Sequence, residues 1–209
     1  MTSLSEDVDI ASSVELDPLE RLAEVIRGHN IEVVVVDTKD EAREAVLARI
    51  PEGSEVHSGK SKTIEDLGLF AELMESGRYE AIRPRIFKMD RATQGMEIRK
   101  LGTAPNFMVG SVSAVTRDGA LVSASGTGSQ LAAYAAGAGR LILVVGSQKI
   151  VPNLEAALRR INEVVFPYED AQVMARLGVH TILEKVLITY GEWTAGRTTV
   201  ILVREPVGV

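Results

Sequence analysis

The strongest constraint on the fold is a pair of short, uninterrupted apolar runs, IEVVVVD at 31–37 and RLILVVG at 140–146. A strand covered on both faces reads as such a continuous run, whereas a strand with one wet face alternates apolar and polar residues. Apolar residues at helical spacing surround the two runs. This alternation predicts parallel βαβ units, and therefore a layered α/β fold in which helices flank a mostly parallel, mixed sheet.

Shorter segments complete the predicted sheet. NFMVGSVSAVT (106–116) is predicted as one strand that turns at Asp118-Gly119, a hairpin signal, into a second strand at 121–125. KVLITY (185–190) and TTVILV (198–203) are predicted to pair with each other. The remaining predictions are a strand at 55–59, a helix at 62–76, a strand at 80–90 broken by Pro84, helices at 16–26, 40–50, 91–104, 127–137 and 153–165, a disordered tail at 1–13 and a single domain at 14–209.

Composition excludes several kinds of protein. The 209 residues include no cysteine, which rules out disulfides, thiolate metal sites and iron–sulfur ligation by this chain, and the three histidines are dispersed. We therefore expect no metal and no cofactor. A net charge of -6 disfavours nucleic acid and anionic lipid as partners. The chain starts without a signal peptide and lacks the roughly 18 apolar residues of a membrane span, so the expected location is cytoplasmic.

The first candidate binding segment is HSGKSKT at 57–63, between a predicted strand and a predicted helix. It is not a nucleotide P-loop, because Gly53 lies one position too early for that spacing. Gly59 permits close backbone approach, Ser61 can cap the helix and Lys60 adds charge, a combination that favours an anion. The alternative is an ordinary capped helix start with solvated lysines.

The second candidate segment is SGTGSQLAA at 125–133. It lacks the third glycine of a dinucleotide fingerprint and the acidic residue about 20 positions later, which argues against a Rossmann cofactor site. The residues Gly126, Thr127, Gly128 and Ser129 are instead candidates for binding a small anion through backbone amides. A tight turn between a strand and a helix is the alternative.

Lys149 is the third candidate, because it follows the buried run at 140–146. Open α/β sheets bind ligands beyond the carboxyl ends of their strands. We therefore expect Lys149 and the two glycine-containing turns to lie together at that edge. A solvated lysine in an ordinary loop is the alternative.

Residues 106–166 resemble the core of the LUD (lactate-utilisation) domain family. The matching motifs are SAVTRDG (113–119), GTGS (126–129), VGSQKIV (145–151) and LEAALRRI (154–161), and the segments at 58–69 and 196–208 are also similar. The resemblance implies the fold of a superfamily that contains ribose-5-phosphate isomerase, glucosamine-6-phosphate deaminase and CoA transferases. It also implies a role in lactate oxidation to pyruvate beside iron–sulfur partner proteins. Many small members carry a cysteine-rich stretch that this chain replaces with PYEDAQVMARLGVHTILEK at 167–185, so no cluster role is carried over.

Three functional hypotheses follow. The first is a lactate-utilisation protein that binds a small anionic metabolite. The second is a stand-alone enzyme resembling sugar-phosphate isomerases or acyl/CoA transferases, with His57 or Asp118 as the general base. The third is a non-catalytic subunit that holds a partner through Trp193 and the late apolar strands. Those strands also lead us to expect a homodimer.

Overall fold

The computed structural model describes residues 17–59 and 61–209. The predicted tail, residues 1–13, lies outside these ranges. The α-helices are α1 Pro18–Gly28, α2 Lys39–Leu47, α3 Lys62–Asp66, α4 Leu69–Glu75, α5 Ile82–Phe87, α6 Gly95–Thr103, α7 Leu154–Arg160 and α8 Phe166–Leu177. The strands are β1 Glu32–Val36, β2 Glu55–Ser58, β3 Glu80–Ala81, β4 Phe107–Gly110, β5 Ala114–Thr116, β6 Leu121–Ser125, β7 Arg140–Gly146, β8 Ile150–Val151, β9 Lys185–Thr189 and β10 Thr198–Val203.

Six strands form the main sheet, in the order β1-β10-β7-β4-β2-β3, and every pairing is parallel. In its centre Val34 lies opposite Ile201, and Ile201 lies opposite Val144. One apolar cluster packs α1 against one face of this sheet, and a second packs α2, α3 and α4 against the other. The α/β class and the parallel core predicted from the continuous apolar runs are confirmed.

The antiparallel segments form a second sheet, in the order β8-β5-β6-β9. The predicted strand at 106–116 is divided, because β4 ends in the main sheet and β5 pairs with β6 in the second. The predicted pairing of the late strands is wrong. β10 is buried along its whole length and lies between β1 and β7, whereas β9 is an edge strand beside β6.

The structure also corrects one predicted helix and one predicted strand. The helix expected at 62–76 is divided at Gly68, whose φ of 62° is left-handed and ends the first part, α3, after five residues. Segment 80–90 forms only two residues of strand before α5 begins. Pro84 is accepted as the third residue of α5, because amides of the first turn have no partner within a helix.

The helical segment at 154–177 runs without a break from α7 through a π-helical turn, Ile161–Val165, into α8. No residue of α8 is buried in this chain. Tyr168 of α8 lies within electrostatic range of Lys62, and Arg176 within range of Arg83. α8 therefore lies near the main sheet's carboxyl edge.

Within residues 17–59 and 61–209, none of the helices has the length and apolar character needed to cross a membrane.

Close backbone packing at Gly137 gives a test of the fold. A Cβ on Gly137 would collide with the carbonyl oxygen of Thr103 at the end of α6. Gly137→Ala should therefore lower the free energy of unfolding by about 1–3 kcal/mol, the usual cost of overpacking. Chemical denaturation provides the measurement. Gly28→Ala, at a position with no neighbouring atom within 4 Å, is the control and should be neutral or stabilising. Equal stability of the two variants would contradict this packing.

Candidate functional site

The two predicted glycine-containing turns meet at the carboxyl edge of the main sheet. Gly59 follows β2, and a Cβ placed on it would lie 3.8 Å from the Cβ of Gln130. Gln130 directly follows the turn at 126–129 that leaves β6. The predicted proximity of these turns is therefore confirmed.

Hydrogen bonds within the second turn hold its shape. The backbone amide of Gly128 donates to Ser125 Oγ at 2.9 Å, and that of Ser129 donates to Thr127 Oγ1 at 3.3 Å. The hydroxyls of Ser125 and Ser129 both donate to Gln130 Oε1, at 3.4 and 3.3 Å. Two amides expected to face an anion are thus already bonded, whereas the side chains of Thr127 and Ser129 remain exposed to solvent.

Both glycines of this turn are required, Gly126 by the backbone that lies against it and Gly128 by its own backbone conformation. A Cβ on Gly126 would come within 2.5 Å of the carbonyl oxygen of Ile182, and one on Gly128 within 2.6 Å of Lys185 Cδ. Gly128 also has a φ of 78°, which disfavours other residues. The segment before β9 therefore packs on the turn, and Lys185, the first residue of β9, adds a positive charge beside it.

Lys149 occupies the centre of this edge and is 3% exposed. Its Nζ lies 2.8 Å from Thr63 Oγ1, 2.9 Å from Ser111 Oγ and 3.2 Å from the carbonyl oxygen of Val112. These bonds join α3 to the segment that leaves β4. Lys149 follows β7 as predicted, but its amino group lies beneath the surface and does not line an open pocket.

Burial and the neighbouring Arg160 lower the pKa of Lys149 to about 7. Desolvation disfavours the charged amine, and the second cation adds repulsion. Arg160 is half-buried and donates from Nη1 to the carbonyl oxygen of Ser113 at 2.7 Å. Near neutral pH, Lys149 is therefore poised between its charged and neutral forms.

The first turn differs from expectation. Ser61 stands at the N-cap of α3, but its side chain makes no capping hydrogen bond. The dipole expected from a helix at 62–76 is reduced, because α3 has only five residues. Lys62 is paired with Asp66 on the same short helix. Lys60 lies outside the described residues.

The two candidate bases differ in position. Asp118 accepts a hydrogen bond from Thr116 in the β5–β6 hairpin, and the adjacent Gly119 packs against His29, which precedes β1 at the opposite, amino edge. His57 is buried on β2, two residues before Gly59 and beside Gly102 of α6, and desolvation lowers its pKa to about 4. Asp118 therefore lies away from the paired turns, whereas a general-base role for His57 stays a hypothesis.

The structure also corrects the predicted partner surface. β10 is buried inside the main sheet and offers no face to a partner. Trp193 is 99% exposed in the loop before β10, near the amino edge, where Asn30 Nδ2 donates to its carbonyl oxygen at 3.2 Å. Homodimer formation stays a prediction.

Two surface depressions of about 480 Å³ each flank the main sheet. One lies at the amino edge around Arg27, Glu32 and Gly196. The other lies between α4 and α5. Neither is lined by residues of the two turns.

Several residues of this edge were missed from the sequence. Gln130 joins the two turns, Thr63 and Ser111 hold Lys149, and Lys185 covers Gly128. Ser111 follows β4 directly, so a polar residue at the carboxyl end of a strand was an available signal. The contact of Lys185 depends on β9 lying beside β6, which no local pattern indicates.

Comparison with known proteins identifies the fold and the family. A family model described as the LUD domain matches residues 19–203. A DUF162 family protein from Deinococcus radiodurans has a similar structure at 14% identity, with a TM-score of 0.54 over 90% of this chain and 96% of that one. Ribose 5-phosphate isomerase from Plasmodium falciparum aligns at 12% identity, with a TM-score of 0.38 over 82% of this chain and 95% of that one. No curated protein shows significant similarity to the chain.

The lowered pKa of Lys149 predicts how stability depends on pH. Between about pH 7, its folded value, and pH 10.5, its ordinary value, the unfolded chain binds more protons than the folded chain. The contribution of Lys149 to the free energy of unfolding should therefore rise with pH across this window. Denaturant titrations at a series of pH values should show a steeper rise for the wild type than for Lys149→Met. Lys100→Met, which removes an exposed lysine, should keep the wild-type slope. A wild-type slope in Lys149→Met would contradict the assignment.

Proposed function

The chain belongs to the LUD domain family, and on that premise we propose that it binds a small anionic metabolite, a carboxylate or phosphate ester, at the carboxyl ends of the central strands. The proposed site comprises Gly59–Ser61 and Gly126–Ser129, above Lys149. We further propose that this binding serves lactate utilisation. The observation that carries the site is the meeting of the two turns at the edge where α/β sheets commonly bind ligands.

The distribution of charge supports an anion as the ligand. The whole chain has a net charge of -6, yet Lys62, Lys149, Arg160 and Lys185 gather at this edge. The carboxylates of Glu65 and Asp66 lie on α3, and Asp66 is engaged by Lys62 and by the amide of Gly208. A local excess of cations on an acidic protein raises the local concentration of anions.

The exposed donors of the site are the hydroxyl of Thr127 and the amine of Lys185, whereas the exposed hydroxyl of Ser129 already donates to Gln130 Oε1. Lys149 contributes through its charge beneath the turns, because its own donors are bonded to protein oxygens. A bound anion would favour the protonated form of Lys149 and raise its pKa. Binding should therefore weaken as pH rises above about 7.

The lactate-utilisation role rests on family membership, and the carboxylate of lactate belongs to the proposed ligand class. Since the sequence has no cysteine, any iron–sulfur chemistry would come from partner proteins. An isomerase-like or acyl-transfer-like activity is less well supported, because Asp118 lies near the amino edge and His57 is buried.

Thermal unfolding in the presence of anions tests the proposal. Inorganic phosphate and lactate, compared with chloride at equal ionic strength, should raise the unfolding midpoint, because a ligand of the native state stabilises it. The anion with the larger effect at equal concentration identifies the headgroup class. Ser129→Ala combined with Lys185→Met should weaken apparent affinity by roughly tenfold, the effect of losing one hydrogen bond to a charged group.

Ser76→Ala combined with Lys100→Met is the matched control, since both residues are exposed and remote from the turns. It should respond to anions like the wild type. Two results would refute the site: equal midpoints in chloride, phosphate and lactate, or an undiminished response in the double variant at the turn.

A further inference from the structure

A second depression, of about 480 Å³, opens between α4 and α5. Phe70, Met74 and Phe87 supply apolar walls, while Arg83, Lys88 and Glu75 supply the charges. The side chain of Phe87 is 64% exposed, so the depression is open to solvent. Its volume falls within the roughly 300–1,000 Å³ of small-molecule sites.

Arg83 is fixed within this depression by aromatic rings. Its guanidinium carbon lies 5.5 Å from the ring centre of Phe70 and 5.2 Å from that of Phe87. Nη1 donates to the carbonyl oxygen of Ser58 at 3.2 Å. These contacts hold the guanidinium plane in one orientation. A guanidinium fixed in this way loses little conformational entropy when it pairs with a carboxylate.

In the part of the chain that the structure describes, Arg83 forms no ion pair. Among residues 17–59 and 61–209, no carboxylate forms an ion pair with it, and its buried Nε donates to no acceptor there. Burial and the nearby Arg176 lower its pKa, although Glu65 opposes this effect. A partly desolvated cation without an anion is costly, so a ligand that supplies one is favoured.

We infer that this depression binds an apolar carboxylate, an acid whose aromatic or medium-chain aliphatic body packs on Phe70 and Phe87 and whose carboxylate pairs with Arg83. The apolar walls require a hydrocarbon body larger than that of lactate. Lys88 adds a second positive charge, so that two cations face the single carboxylate of Glu75. This site goes beyond the proposed function, because no residue of the two turns lines it.

Isothermal titration calorimetry with three probes tests the inference. 3-Phenylpropionate has both the ring and the carboxylate, 3-phenylpropanol has only the ring, and propionate has only the carboxylate. The inference predicts that 3-phenylpropionate binds at least about tenfold more tightly than either of the others, because only it uses both walls and charge. Equal binding of the acid and the alcohol, or no binding of the acid, would overturn it.

Variants locate the binding. Arg83→Met keeps an apolar stem and should weaken 3-phenylpropionate binding at least about tenfold. Arg85→Met is the matched control on the same helix, since Arg85 is exposed and pairs with Glu55 at 3.7 Å outside the depression. If Arg83→Met fails to fold, Phe87→Ala is the second variant, since Phe87 is exposed. It should weaken the binding of 3-phenylpropionate and leave the binding of propionate unchanged. The double variant at Ser129 and Lys185 should bind 3-phenylpropionate like the wild type, and a loss there would assign the acid to the turns and overturn this site.

Discussion

The structure of the carboxyl edge depends on the hydrogen bonds of the buried Lys149 amine. The amine joins α3, through Thr63, to the segment that leaves β4, through Ser111 and Val112. Its neighbour Gln148 bonds the backbone of Val207 and Gly208, so the chain after β10 is fixed at the same place. Buried polar groups are tolerated when their hydrogen bonds are satisfied, and here that satisfaction determines how four segments meet.

The parallel sheet explains why the polar residues lie at this edge. Its strands are covered on both faces, so a ligand from solvent can contact polar groups only at the ends of the strands. Gly59 follows β2, and Lys149 lies shortly after β7. The turn at 126–129 follows β6 of the second sheet. α8 then brings Arg176 within electrostatic range of Arg83.

Sequence patterns predicted the parts of this arrangement that local chemistry controls. The continuous runs at 31–37 and 140–146 indicated parallel strands, and glycines after strands located both turns. These local patterns could not predict which strands pair, since β9 and β10 have similar sequences but only β10 lies in the main sheet. Burial was also missed: a lysine after a strand is usually solvated, and Lys149 is buried only because Thr63, Ser111 and Val112 converge on it. Arg83 lies in a segment whose pattern suggested a broken strand, and the helix that presents it was not foreseen.

Hydrogen exchange measured by mass spectrometry, with and without inorganic phosphate, shows whether the two turns above Lys149 form one anion site. Exchange reports local opening, and a ligand slows it where it binds. The account predicts slower exchange confined to peptides that cover 57–63 and 125–131, and a smaller effect at pH 9 than at pH 6 because Lys149 loses its charge in between. Protection elsewhere in the chain, or unchanged exchange in both segments, would contradict it.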